Sequence, residues 1–303
     1  MDDAAVDDTA VDDTVVDDTA AIAPEAAARA LWRLAEPVHA VTYFAPEARA
    51  AYEEAGLRGW RRGYFAGRAA PFGPVGPEPV AASFFGFAPD TVAGALPSVW
   101  EIVSPGRALE LRRSGARNAL RRLLAGRDEE VGRAAGLLAD RVRELDCGGR
   151  VLSAANMALG LPVDPLDRLW HAATLLREHR GDGHVAALVA ADLDGCESLA
   201  LRAGIDVPRS ELQPYRGWTD EEWAAAVHRL TARGLLAPDG TATDEGHRLH
   251  ASVEAATDRA ASRPWRTVEP AELRELTTAL TPLSRACAAA LRFPNPIGLP
   301  EPD

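Results

Sequence analysis

Lysine is absent from this chain of 303 residues, so all 33 basic side chains are arginine. With the heavy use of Ala, Gly and Pro, that bias is one a GC-rich coding sequence imposes, and it speaks of codons before it speaks of function. Cysteine is almost as scarce. Cys147, Cys196 and Cys287 are far apart and odd in number, which excludes a disulfide framework and a paired-cysteine zinc site and points to a reduced, cytoplasmic setting. No apolar run approaches the roughly 20 residues that cross a bilayer. No cationic-then-apolar leader opens the chain, so a soluble protein without a membrane partner is expected. Basic excess is missing as well: the formal net charge is −12, and eight of the 45 acids are Asp between Asp2 and Asp18, leaving 37 acids against 33 Arg elsewhere. The body is mildly acidic, without the global basic footprint of a nucleic-acid binder. Neither a phosphate-binding Gly loop after a strand nor a Gly-x-Ser-x-Gly elbow occurs.

What is present is helix. A hydrophobic content of 47% with 26% charge suits a soluble chain with room for two ordinary domains. Residues 1–23 repeat Val-Asp-Asp-Thr at Val6, Val11 and Val16 and read as a disordered acidic tail. Helical periodicity then predicts elements over 25–36 before Pro37, 38–44, 46–55, 59–70, 77–84, 89–102, 105–125 and 128–145. Breaks at Asp146-Cys-Gly-Gly149 and Pro162-Val-Asp164-Pro165 bracket a boundary, giving a helical N-terminal domain over 24–148 and a second domain over 162–292. Asp164 as N-cap and Pro165 at the first helical position start a helix ending near His179. After Gly181 and Gly183 another is expected to about Asp192, then one over 195–203, a loop holding Pro208 and Pro214, and closing helices around Val253 and over 271–291. Residues 293–303 read as an extended C-terminal tail.

Between 219 and 250 the pattern is more specific. Thr219 with Glu222 forms a capping box; Trp223, Val227 and Leu230 fall at helical spacing, and Gly234 ends a helix over 220–233. Leu235-Leu236, the Pro238-Asp239-Gly240 turn and Thr241-Ala-Thr243 predict a short β-hairpin, and Asp244 opens a further helix. With Arg229-Leu-Thr-Ala-Arg-Gly-Leu-Leu and Thr243-Asp-Glu-Gly-His-Arg-Leu, the segment 169–260 resembles the MarR-type winged-helix fold. More narrowly, Leu31-Trp-Arg-Leu-Ala-Glu-Pro-Val-His-Ala-Val-Thr-Tyr-Phe44, Tyr64-Phe-Ala-Gly-Arg-Ala-Ala-Pro71, Leu176-Arg-Glu-His-Arg-Gly-Asp-Gly-His184 and Phe293-Pro-Asn-Pro resemble an actinobacterial helix-turn-helix family with a MarR-like label, over about 25–299. The resemblance implies a mostly α fold: a helical N-terminal half and a winged-helix C-terminal half with a small hairpin wing. Gly67-Arg68-Ala-Ala-Pro71 and Arg180-Gly-Asp-Gly-His184 echo one another, as a duplicated unit or chance likeness of Ala- and Gly-rich helices would make them.

The helix that should read DNA opens with Asp220, Glu221 and Glu222, and the turn 238–241 carries no Arg. Residues 210–250 hold seven acids against four Arg. Carboxylates beside phosphate work against counterion release, although the same three acids complement a helix dipole.

The densest polar cluster is His171, Glu178, His179, Arg180, Asp182 and His184. On one helix His171 and Glu178 lie about 20° apart and His179 about 80° from His171, and a sharp turn at Gly181 and Gly183 would fold His184 back towards His179. His171, His179 and His184 are thus candidate metal ligands, His179, His184 and Glu178 candidate catalytic groups, and Arg180 and Asp182 candidate substrate contacts. The alternative is structural: a Glu178–Arg180 ion pair, Asp182 as a cap, and packed imidazoles. His39, Tyr43 and Arg68 are further candidates for a ligand cavity between the halves, against the alternative of a buried Tyr–His hydrogen bond and an Arg bridging two helices. Three functions remain open: a small-molecule binder with a His/Glu/Arg pocket, extending to a His-centred metal- or haem-dependent enzyme; a ligand-responsive DNA-binding regulator; and a protein-interaction module. The cofactor and the oligomeric state are not identified.

Overall fold

A computed structural model describes residues 22–299, so the acidic tail expected over 1–23 lies, up to residue 21, outside the described residues. Among the described residues fourteen α-helices follow one another: α1 Pro24–Phe44, α2 Pro46–Glu54, α3 Trp60–Ala69, α4 Pro77–Phe84, α5 Pro89–Ala93, α6 Pro105–Leu123, α7 Asp128–Val142, α8 Val151–Met157, α9 Pro165–Ala190, α10 Gly195–Ala203, α11 Arg209–Arg216, α12 Asp220–Ala232, α13 Asp244–Ala261 and α14 Pro270–Ala288. Seven of them begin on proline, whose missing N–H costs nothing at that position. Side-chain caps start others: the Asp194–Glu197 and Thr219–Glu222 capping boxes at α10 and α12, and Thr243 at α13.

The fold is all-α, and the expected wing is not there. Among the described residues the only β pairing is an isolated antiparallel bridge between Leu236 and Ala242. The turn between them consumes the segment: Gly240 N–H bonds to the Ala237 carbonyl, and Asp239 Oδ1 takes Thr241 N–H. Pro238 offers no donor, and Ala242 N–H reaches the Gly204 carbonyl on the other side. Too few residues remain for a ladder. The duplicated unit fails too, because Arg68 ends a 10-residue helix whereas Arg180 sits inside a 26-residue one.

Two predicted breaks are continuous helix. Pro37 lies within α1 and Gly181 and Gly183 lie within α9. Residues 35–42 of α1 are all buried, and packing on every side keeps it helical despite the lost donor. At Gly183 an added Cβ would stand 3.0 Å from Ala260 Cβ and 2.6 Å from Arg150 Nη1, so glycine there lets α13 approach α9. The loop with Pro208 and Pro214 is mostly helix α11, and α8 occupies part of the interval between the two predicted breaks.

Among the described residues three large apolar clusters and a small one, Ala40 with Leu291 and Leu299, fill the interior. One joins α1, α6, α7, α9 and α14 through Leu31, Leu120, Leu138, Leu169, Leu280 and Leu283. A second surrounds Phe65, Phe84, Phe87 and Leu96. A third, with Leu188, Leu201, Leu212, Trp223, Leu230 and Val253, supports α10 to α13. Each such side chain contributes about 1.5–3 kcal/mol of burial. Helix α9 feeds the first cluster with its N-terminal half and the third with Leu188, so its buried middle is the axle of the molecule. No described helix is long and apolar enough to cross a membrane.

Candidate functional site

That axle carries charge where apolar residues would be expected. Glu178, His179 and Arg180 are all at most 6% exposed, and ions so placed need partners to offset several kcal/mol of desolvation each. The partners come from other helices. Arg68 of α3 grips Glu178 through two bonds, Nε to Oε1 at 3.1 Å and Nη2 to Oε2 at 3.0 Å, while its Nη1 donates to the Tyr64 hydroxyl at 2.9 Å. Arg177 adds a bond to Glu178 and lies 3.8 Å from Glu36, which also accepts from Trp32 Nε1 at 2.9 Å. Burial works against the Glu178 charge, but Arg177 and Arg68 outweigh it and hold the carboxyl well below the usual range. Glu36, where burial dominates, is raised.

Beside this network Thr174 donates its hydroxyl proton to the Trp170 carbonyl at 2.9 Å, so it accepts from His39 Nδ1–H, also at 2.9 Å. Burial keeps His39 neutral, hence its Nε2 lone pair accepts the Tyr43 hydroxyl proton at 3.0 Å. The same logic holds for His184: Thr257 donates to the Val253 carbonyl at 2.8 Å and accepts from His184 Nδ1 at 2.9 Å. Burial lowers the His184 pKa, leaving Nε2 unprotonated.

A cavity of about 230 Å³ opens against the network. Arg68, Arg177, Arg180, Arg202 and Arg216 line it together with Glu36, Asp182, His184, His250 and Glu254; Phe84, Phe85, Leu199 and Ile297 supply apolar wall. Arg180 is engaged by Asp258 at 2.7 Å and Glu254 at 3.4 Å and lies over the Trp32 ring at 4.8 Å. Asp182 accepts Ser153 N–H at 2.8 Å, capping α8 from a distance, and burial raises its carboxyl pKa. Arg216 differs. One Nη donates to the Pro296 carbonyl at 2.9 Å and its face covers the Phe87 ring at 4.6 Å, but its Nε is buried without a partner. No carboxylate pairs with it among the described residues, and burial pulls its pKa down to about 10.

Of the residues singled out by sequence, the structure gathers Arg68, Glu178, Arg180, Asp182 and His184 at or just behind this cavity, with His39 and Tyr43 on the far side of Arg68. It does not gather the proposed metal ligands. With α9 unbroken, His171 and His184 stand about 20 Å apart along the axis and face different directions. His179 Nε2 bonds the Asp146 carbonyl at 3.2 Å, His184 bonds Thr257, and His171 Nε2 is buried without a partner. Among the described residues no three His, Cys, Asp or Glu side chains form a ligand set. His179 also lies outside the cavity wall, so its expected catalytic place beside His184 is not reproduced. Sequence reasoning missed Arg177, Arg216, Glu36, His250 and Ile297. Only Glu36 left a signal, as the i, i+4 partner of Trp32.

Helix α11, the turn Gly217-Trp218-Thr219 and α12 follow one another as helix, turn and helix, with α12 packed mainly on α10. Gly217 is left-handed (φ 79°) with Thr91 against its Cα, and Trp218 Nε1 donates to the Gly86 carbonyl at 2.9 Å, which fixes the motif on the α4–α5 link. The class these features define is an all-α helix-turn-helix protein. The helix-turn-helix family matches residues 28–294, and the chain belongs to that family. No curated protein and no solved structure matches it.

Proposed function

We propose that this helix-turn-helix family member binds a small organic anion in the cavity between α1, α9, α13 and the segment after α14. The observation that carries the reading is Arg216, a guanidinium in the cavity wall with an unpartnered buried Nε and no carboxylate partner among the described residues. A part-buried cation without a counter-ion is costly when its Nε is sealed from water, and a ligand carboxylate beside it removes that cost. Arg68 and Arg177 stand nearby but are committed to Glu178. The apolar wall suits a hydrocarbon or aromatic body. His184 and Asp182 are the groups placed to exchange a proton with such a ligand, which is where an enzymatic activity would reside.

Thermal unfolding with benzoate, phenylacetate and hexanoate, each against its neutral amide, tests the reading. The carboxylates should stabilise saturably and the amides should not, and Arg216→Met should weaken the carboxylate at least tenfold. Equal responses to acid and amide would sink it.

The second reading, a DNA-binding regulator responding to that ligand, draws support from the family and from the α11–α12 motif. The electrostatics of α12 argue against it. Arg229 is spent on Asp194 and Glu197, and Arg233 on the Asp192 carbonyl. Asp220, Glu221 and Glu222 are all exposed at its N-terminus.

A further inference from the structure

Across Arg68 from the larger cavity lies a second one of about 30 Å³ between α1, α2, α3 and α6. It has room for about two water-sized particles, and its polar lining is unbalanced. Arg112 of α6 is 6% exposed; one Nη donates to Asn156 Oδ1 at 3.0 Å, its Nε is buried without a partner, and no carboxylate pairs with it among the described residues. The Tyr52 hydroxyl makes no hydrogen bond among the described residues. The Tyr64 oxygen already accepts from Arg68, which leaves its own proton unspent. Glu53, the one acid in the lining, is held by Arg49 at 2.8 Å with 41% of its side chain exposed.

The position of Tyr52 is built into α3. A Cβ on Gly67 would fall 1.9 Å from the Tyr52 hydroxyl, and one on Gly63 would fall 2.8 Å from its ring. Two glycines one helical turn apart therefore admit the ring, and Tyr52 lines the cavity. Arg68 and Arg177 are balanced by Glu178 and Glu36, so the charge of Arg112 is left over. Water could take up the spare protons but brings no charge to offset Arg112.

We propose that this cavity is a site for one compact monovalent anion, a halide or the head of a short carboxylate, bound by Arg112 with the hydroxyls of Tyr52 and Tyr64. Thermal unfolding in sodium chloride, sodium formate and sodium gluconate at matched ionic strength provides the test. Chloride and formate should raise the midpoint saturably, and gluconate, too bulky to enter, should not. Formate more than tenfold tighter than chloride would mark the site as a carboxylate pocket, and the reverse order a halide site. Arg112→Met should abolish the effect. Tyr52→Phe, which removes one hydroxyl and nothing else, should weaken the apparent affinity about fivefold while leaving the benzoate response intact. A gluconate shift equal to that of chloride, or an unchanged chloride midpoint in the folded Tyr52→Phe protein, would overturn the proposal.

Discussion

Glu178 shows most directly how single residues hold the interior together. It is 1% exposed and bonded by Arg68 and Arg177, so Glu178→Gln leaves Arg68 buried without an anion. The expected loss is about 3–5 kcal/mol in urea unfolding. Removing both charges in Glu178→Leu/Arg68→Met should cost less than the single change, because Arg68 is no longer left as a lone buried ion and Arg177 keeps Glu36, 3.8 Å away; a double variant less stable than the single one would refute this. Buried histidines set a pH dependence, and His171 and His179 illustrate it. Burial, then Arg112, lowers His171 to about 4; burial, then Arg150, lowers His179 to about 4. Unfolded imidazoles take up protons near 6.5, so between pH 6.5 and 4 the unfolded chain binds more protons and stability falls with falling pH. The loss levels off below pH 4, at about 3 kcal/mol per imidazole. His179→Gln keeps a donor for the Asp146 carbonyl without titrating, and its stability should fall less steeply across that window in denaturant titrations at several pH values. The sequence exposed these residue types but not their partners. A Glu178–Arg180 pair was an alternative, yet residues two apart on a helix point about 160° away from each other, which sends Glu178 to α3 and Arg180 to α13. Arg112 and Arg216 look like ordinary surface arginines in sequence, since burial is a property of what packs over them.

Elements were legible where their signals are local. The N-cap at Asp164, the capping box at Thr219 and the proline starts at Pro46, Pro77 and Pro105 all mark observed helix ends, because a cap acts within one turn. Thr219→Ala should accordingly cost about 1 kcal/mol, read as a lower urea midpoint. Signals that depend on neighbours misled. Gly181 and Gly183 look alike in sequence but differ in the fold: a Cβ on Gly181 meets only ordinary contacts, Arg177 Nη1 at 3.6 Å and Glu178 Oε2 at 3.8 Å, whereas one on Gly183 collides with Arg150 and Ala260. Gly181→Ala should therefore stabilise the protein by up to about 1 kcal/mol through helix propensity. Gly183→Ala should destabilise it by about 1–3 kcal/mol, since it also displaces the Arg150 bonds to the His179 and Ala260 carbonyls. Comparison of the two melting temperatures decides the matter, and stabilisation by both would mean that α9 does not need glycine to approach α13. The hairpin over 235–243 failed for a related reason. Its turn chemistry is correct, but a ladder needs flanking residues, and here they are the ends of α12 and α13.

At the scale of the whole molecule, charge and topology pull against the usual use of the motif. Helix α9 ties the motif's core to the larger core, and Trp218 pins its turn to the α4–α5 link, so the structure holds α12 as a rigid part of the body. Its exposed side then meets any approaching polyanion as it stands: Glu221, Glu222, Ala224, Ala225 and His228, with the nearest arginines tied to carboxylates or carbonyls. Affinity for DNA grows by releasing counterions, roughly 0.9 per phosphate neutralised, and this face offers no free cation. In fluorescence anisotropy against a random duplex at about 50 mM salt, where phosphate contacts are strongest, the protein should show no salt-sensitive binding at micromolar concentration. Glu221→Arg/Ala225→Arg should gain it, with the salt slope steepening by roughly 0.9 for each new phosphate contact. Three further exposed arginines, Arg58, Arg61 and Arg62, sit instead beside Pro214 and Tyr215 at the end of α11, with Arg61 donating to the Pro214 carbonyl at 2.8 Å. Strong, salt-dependent binding by the unmodified protein would favour a DNA-binding regulator over a binder of small anions alone. Whether Arg58→Ser/Arg61→Ser/Arg62→Ser then abolishes that binding would tell if it runs through this patch or through α12, because neutralising three guanidiniums removes about three released counterions from one face and none from the other.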